Sequence, residues 1–491
     1  MKRVELALLA VVAAVCVGCG EEAADDVEKQ EPPVEPAQFE PCRGELECAS
    51  VVVPVDYDDP AELIELRIVR SAATEEPRLG VLLMDPGGPG SSGLDFLQSN
   101  AALLRLAVPS TAQLDLVSFD RRGVRESGGL VCSNHAAYEA LRALDPRPDD
   151  AAPARWNEVA EALRADCVQS ADGPLMANMS ARDTARDMDR IRRALDEETL
   201  NALLLSDGTR AGAHYMSLFP ERVRAFVFDS PVALTSDRTV TVAHRASGLE
   251  ISLERFFAWC ASEPTCALHA ATVEEVRARH DAVFVQLAQA PLPVGERTLS
   301  QVDAHLVLIQ SFARLGSLDW ATLAELVLAV EQGDGQPMLE RADEIWGRSP
   351  DGKYAADEIA KSAITCLDDA YPGGFDMIAY RELLSEVEQT APRAARVGMF
   401  FDLPCVGWPW ASSDARAPVD GSAAPPALVA AVRYDPMTPW SPSFVDGLGN
   451  GSHVVTYEGD GHIALAKSAC VRSAINAFLL DPGTSPPSSC D

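Results

Sequence analysis

The stretch from Leu200 to Tyr215 constrains this chain more than any other. Leu200, Ala202, Leu203, Leu204 and Leu205 run into Ser206, and Gly208, Ala211, Gly212 and Ala213 then open a helix of small residues. A buried strand followed at once by such a helix lifts the intervening hydroxyl above a sheet on a sharp turn. The flanking pattern agrees. Apolar runs at 48–55, 63–70, 79–84, 114–120 and 223–229 read as strands, and 181–195 has a helical period through Ala185, Met188, Ile191 and Leu195. Strands alternating with helices imply a parallel sheet covered on both faces.

That alternation stops near residue 236. From 236 to 400 the pattern is mostly helical, with candidate helices at 249–260, 273–288, 322–332, 338–347 and 380–389. Strand-like runs return at 427–432 and 453–457, followed by a last helix at 466–480. The division expected is a sheet-bearing core over 42–235, a helical cap over 236–400 and the rest of the core over 401–491.

Asp435 and His462 follow Ser206, each in a turn just after a predicted strand. The order Ser, Asp, His is that of α/β-hydrolases, so the fold class expected is a mostly parallel central sheet with helices on both faces and a cap insertion. A free hydroxyl is a poor nucleophile near neutral pH, which makes His462 the candidate base and Asp435 the group that fixes its tautomer. Thr438 is placed to hydrogen-bond that carboxylate. The glycine-rich loop from Asp85 to Gly93 follows the third strand, and the backbone N–H groups of Gly88 and Asp207 are the candidate donors to a developing oxyanion. The loop lacks the GxxxxGK[ST] pattern of a phosphate cradle. No metal or organic cofactor is called for.

Across 491 residues, 41 Lys+Arg face 74 Asp+Glu, a net charge of -33 that disfavours nucleic acid as a partner. Lys2 and Arg3 precede an apolar run over 6–17 that is too short to span a bilayer and reads as an export signal, residues 1–18. It closes on Val17-Gly18-Cys19-Gly20, where Cys19 is the candidate lipid-bearing residue; a plain secretory signal is the alternative. Residues 19–41 are acidic and Pro-rich and are expected to form a disordered tether to the membrane. Beyond Cys16 and Cys19 ten cysteines remain, an even number suited to an oxidising compartment. Nearest-neighbour pairing would join Cys42/Cys48, Cys132/Cys167, Cys260/Cys266, Cys366/Cys405 and Cys470/Cys490, although sequence alone does not fix connectivity.

Pro86-Gly87-Gly88-Pro89-Gly90, Phe119-Asp120-Arg121-Arg122-Gly123, the Ser206 elbow, Asp435-Pro436-Met437-Thr438-Pro439, Gly461-His462 and Cys470-Val471-Arg472 together resemble the secreted tripeptidyl aminopeptidases. These belong to the prolyl-aminopeptidase-like serine peptidases of α/β-hydrolase fold. The resemblance runs from about 42 to 490. It implies a helical cap, disulfides, and release of short peptides or single residues from free N-termini; the partners expected are peptide substrates, and the chain is expected to act as a monomer. Asp368 and Asp369 are then candidates to hold the substrate ammonium. Two positions depart from the family pattern. Leu204 stands where the elbow carries glycine and is expected to crowd the turn. The carboxylate of Asp207 would oppose negative charge at the oxyanion site unless it points away. An esterase with the same triad, or a binding lipoprotein that has lost the elbow geometry, are the alternatives.

Overall fold

The computed structural model describes residues 31–491 except 131–133, 145–151, 169, 171, 236, 314–319, 356, 370–376, 401–402, 406, 411–415 and 440–441. The export signal and Cys19 therefore lie outside the described residues, as does Cys132. Twelve strands are described: β1 Glu40–Pro41, β2 Glu47–Pro54, β3 Leu63–Ser71, β4 Val81–Asp85, β5 Asp115–Phe119, β6 Leu200–Leu205, β7 Val223–Asp229, β8 Leu292–Val294, β9 Arg297–Leu299, β10 Leu428–Tyr434, β11 His453–Asp460 and β12 Ser489–Cys490. Ten of them form one sheet in the order β1-β2-β3-β5-β4-β6-β7-β10-β11-β12, and β8–β9 is a separate hairpin.

The sequence of each strand explains its place. Every residue of β4 and of β6 is buried, as parallel strands covered on both faces must be. β2 instead alternates, with Val52 41% exposed, and pairs antiparallel with β3. From β4 the chain pairs to one side with β5 and to the other with β6, both parallel. A crevice opens at such a reversal of direction, outside the carboxyl ends of the strands. The Gly-rich loop after β4 and Ser206 after β6 both sit there.

Two apolar cores sandwich the sheet. Helices Ala181–Ala194 and Gly208–Leu218 cover one face, with Met188, Ile191 and Met216 buried against Leu204 and Phe228. Helices Gly93–Ala107 and Ala469–Leu480 cover the other, around Leu97, Leu203 and Phe478. The cap has its own core, centred on helix Arg238–Ser262 with Phe256 and Phe257.

Two expectations change. The cap is built from two excursions rather than one: helices His135–Arg142 and Ala152–Val168, between β5 and the sheet-covering helix, also belong to it. Tyr138 stacks on Tyr354 at 5.0 Å, Trp156 meets Tyr380 edge-on at 5.1 Å, and Arg142 pairs with Asp303 and Asp343 at 2.8 Å. The apolar faces of these helices fit the cap core, so the core segment 42–235 is interrupted. Residues 31–41, expected to belong to the tether, are also held by the core. Arg190 binds the Glu31 carboxylate at 3.1 Å and the Pro32 carbonyl at 3.0 Å, Ala37 N–H donates to Ala194, and β1 pairs with β2. Backbone groups satisfied in this way fix residues 31–41 against the core.

Disulfides join Cys42–Cys48, Cys260–Cys266, Cys366–Cys405 and Cys470–Cys490, and Cys167 is disulfide-bonded as well. Trp156 is 1% exposed, so Trp156→Ala should cost about 3–5 kcal/mol. Because the cap core is separate from the two sheet cores, chemical denaturation should show the cap transition moving to lower denaturant ahead of the sheet.

Candidate active site

Ser206 directly follows β6 with φ +52°, in the left-handed region that a non-glycine residue rarely adopts. Local bonds hold it there. Its N–H donates to Asp229 at 2.9 Å, and its carbonyl accepts from the Thr209 hydroxyl at 2.6 Å and from the Thr209 N–H at 3.0 Å. A strained turn held this firmly presents the hydroxyl at the strand end.

The elbow accommodates Leu204 by exchanging volume with the helix that follows. Leu204 is fully buried, and a Cβ built on Gly212 would lie 2.0 Å from its Cδ1 and 2.8 Å from Phe228. The room that glycine usually gives in the strand is here given by glycine in the helix. The expected crowding is thus absent.

Asp207 is paired with a buried cation. Its carboxylate lies 2.8 Å from the Arg121 guanidinium, which also pairs with Asp85 at 2.8 Å. Asp85 in turn accepts the Gly87 N–H at 2.9 Å, so one buried cation ties the elbow to the loop that carries Gly88. The charge of Asp207 is therefore neutralised by a buried guanidinium. Among the described residues the N–H groups of Gly88 and Asp207 donate to no other residue. That of Asp207 stands at the start of helix Gly208–Leu218, where the helix dipole favours negative charge.

His462 is buried, with Nδ1 2.9 and 2.8 Å from the two oxygens of Asp435. Asp435 also accepts the Met437 and Thr438 N–H groups at 2.9 and 3.0 Å and the Thr438 hydroxyl at 3.0 Å. A carboxylate this well bonded keeps the imidazole in one tautomer, with the proton on Nδ1 and a bare Nε2. Burial pulls the His462 pKa down, yet the charge and hydrogen bond of Asp435, with the charge of Asp229, prevail and raise it.

Sequence reasoning gave no role to Asp229 and Ser230. The Asp229 carboxylate accepts the Ala464 and Leu465 N–H groups, both at 2.8 Å, and Ser230 Oγ accepts the Ile463 N–H at 2.9 Å. Burial pushes the Asp229 carboxyl up to about 6. Together they anchor the loop that carries His462; the signal available was an Asp-Ser pair at the end of a strand beside the elbow. Gly248 was also missed. A Cβ there would sit 2.8 Å from the Asp435 carbonyl, so the glycine lets cap helix Arg238–Ser262 lie against the acid loop.

Ser206, His462 and Gly88 open onto one cleft of about 710 Å³, which cap residues Leu141, Ile309 and Trp346 also line. Ser206 and His462 do not hydrogen-bond each other here; such contacts are often loose without substrate and tighten when it binds.

Asp368 and Asp369 do not line this cleft. Asp369 is clamped between Arg210 and Arg238, and Asp368 accepts the Ala181 N–H at 2.8 Å. Burial pushes Asp368 upward; for Asp369 burial acts the same way, but the two guanidinium groups outweigh it and hold the carboxyl low. Asp369 is thus spent joining cap to core, whereas Asp368 keeps one buried oxygen, Oδ2, without a hydrogen-bond partner among the described residues. Among the described residues the acidic side chains that do line the cleft are Asp95 and Glu358.

The volume exchange at the elbow is testable by denaturation of a double-mutant cycle. Leu204→Ala alone should cost about 2–5 kcal/mol through the cavity it leaves. Gly212→Ala in a helix ordinarily gains up to about 1 kcal/mol, but here it should cost about 1–3 kcal/mol through overpacking. The double variant should lose less than the sum, with a coupling of about 1 kcal/mol or more.

A family model described as TAP-like protein matches residues 394–490. Carboxylesterase B of Mycobacterium tuberculosis is 31% identical over 455 residues, which cover 90% of this chain and 85% of that protein. Serine protease Hip1 of the same species is 28% identical over 507 residues, covering 98% and 96%. Tripeptidyl aminopeptidase of Streptomyces lividans is 26% identical over 447 residues, covering 89% and 81%. With this topology and these relatives, the chain belongs to the tripeptidyl-aminopeptidase-like family of serine hydrolases of α/β-hydrolase fold.

Proposed function

We propose that this protein is an exported, lipid-anchored serine aminopeptidase that releases short peptides or residues from free N-termini. The observation that carries the reading is the Asp435–His462 pair opening with Ser206 onto a single cleft roofed by cap helices. A roofed cleft favours a chain end over the middle of a folded protein. The disulfides support an oxidising compartment, and Cys19 would carry the lipid.

In this reading Ser206 Oγ attacks the scissile carbonyl carbon while Nε2 of His462 takes the hydroxyl proton. The oxyanion receives the N–H groups of Gly88 and Asp207, and Asp435 stabilises the imidazolium. As the C–N bond breaks, His462 returns the proton to the departing amine, leaving the N-terminal fragment esterified to Ser206. Water activated by His462 then hydrolyses that ester.

The substrate ammonium would meet Glu358. Asp95, the other acidic residue of the cleft, is shared by Arg43 and Arg125, both at 2.5 Å. Among the described residues Glu358 pairs with Lys361 alone, at 3.4 Å and one helical turn away, a partly exposed pair of little strength. A simple esterase is the second reading, favoured by the similarity to carboxylesterase B.

Free and N-acetylated short-peptide anilides, assayed beside p-nitrophenyl butyrate, separate the two. The aminopeptidase reading expects turnover of the free peptides alone among the anilides, and loss of about 10⁴-fold or more in kcat on Ser206→Ala. Glu358→Gln should raise KM for free peptides by about tenfold, the worth of one charge-assisted hydrogen bond. Equal turnover of blocked and free peptides, or turnover of esters alone, would reject it.

The pH dependence follows from His462. Only the neutral imidazole accepts a proton, and its pKa is raised above the ordinary 6.5. The rate kcat/KM should therefore fall with decreasing pH through a midpoint above 6.5. Asp435→Asn should move that midpoint downward while lowering kcat by about 10⁴-fold.

A further inference from the structure

The cap holds a second cavity of about 340 Å³, walled by helices Arg238–Ser262, Val273–Gln289 and Gln301–Ala313 and by residues 392–396. Helix Gln301–Ala313 separates it from the catalytic cleft: Leu306 and Gln310 line the cleft, His305 and Leu308 line the cavity, and Ile309 lines both. Most of the wall is apolar. Phe284 lies between two imidazoles, 4.5 Å from the His280 ring and 4.5 Å from the His305 ring.

Three buried polar atoms of this wall have no hydrogen-bond partner among the described residues: His280 Nε2, His305 Nδ1 and Gln301 Oε1. His280 is 3% exposed and His305 9%. The chemistry of His280 is fixed by its neighbour. Nδ1 lies 3.1 Å from Asp281, a carboxylate that Arg393 holds at 2.9 Å and that can only accept. The proton is therefore on Nδ1, and burial keeps the ring neutral by lowering its pKa. Nε2 is then a bare acceptor, as is Gln301 Oε1, whose amide nitrogen already donates to Phe284.

Such a wall selects its ligand. An anion brings no donor, and the two cations nearby are taken, Arg393 by Glu250 and Asp281 and Arg396 by Glu388. A charged amine would lose its hydration against leucine and phenylalanine. A cavity of about 150 Å³ already holds benzene, so a substituted ring fits this one easily. We propose that the cap cavity is a second ligand site, for a small neutral molecule with an apolar ring or chain and a hydroxyl that donates to His280 Nε2 or Gln301 Oε1.

Phenol and toluene, alike in shape and different in one donor, test this by calorimetric titration of the whole protein. Phenol should bind about tenfold more tightly than toluene, the worth of one hydrogen bond to a buried acceptor. His280→Phe keeps an aromatic ring of similar size, and Gln301→Met keeps the length of its side chain. At least one of the two should bring the ratio close to one, and the second variant decides the matter if the first does not fold. Equal affinity for the two probes, no binding of phenol at its solubility limit, or a phenol preference unchanged in both variants would overturn the proposal. The measurement reads binding alone and stands whether or not Ser206 acts on peptides.

Discussion

Arg121 lies beneath the elbow, 2% exposed, with its guanidinium divided between Asp85 at the end of β4 and Asp207 in the turn after β6. Burial alone would weaken its hold on the proton, but the two carboxylates outweigh that effect and strengthen it. Three strand ends meet through this one side chain, which itself follows β5. Because β4 stands between β5 and β6, a cation just past β5 can reach both of the other turns only across the mouth of the crevice. The positions of Gly88 and Asp207 relative to Ser206 thus depend on charge pairing as much as on the sheet. Removing one member would strand a buried charge, which generally costs about 3–5 kcal/mol.

The same device recurs at the other joints. Arg122, the next residue, binds Asp187 at 2.6 Å and the carbonyls of Val55 and Pro54 at 2.7 and 3.1 Å, locking a sheet-covering helix to the end of β2. Arg210 on the elbow helix and Arg238 at the start of the cap share Asp369. Buried ion pairs add little net stability once desolvation is counted. Here they stand where loops of different origin must meet in one arrangement, and apolar packing alone would tolerate sliding. Gly248 completes the seam by bringing cap backbone into contact with the Asp435 loop.

Much of this was legible in the chain. Mostly apolar runs such as those of β4 and β6 occur where both faces of a strand are covered, and Ser206 follows one, while Asp435 and His462 follow β10 and β11. Cysteines close in sequence, such as Cys42 and Cys48, proved to be partners. The cap assignment of helices His135–Arg142 and Ala152–Val168 was not legible, because an amphipathic helix looks alike whether its apolar face meets a sheet or other helices. Tyr138 and Trp156 reveal their allegiance only through Tyr354 and Tyr380, far along the chain. Asp369 was opaque for a related reason. An aspartate carries no mark of whether it awaits a ligand or is already claimed by arginines more than a hundred residues away.

Leu204 and Gly212 bear on how such a site is inherited. The bulky residue and the bare one occupy facing positions on strand and helix, and each is tolerable only because of the other. A lineage that swaps them one codon at a time must pass through either a hole or an overlap beneath its nucleophile. The pair should therefore travel together among descendants, and a signature that insists on glycine at the first position will overlook chains that have moved the gap to the second.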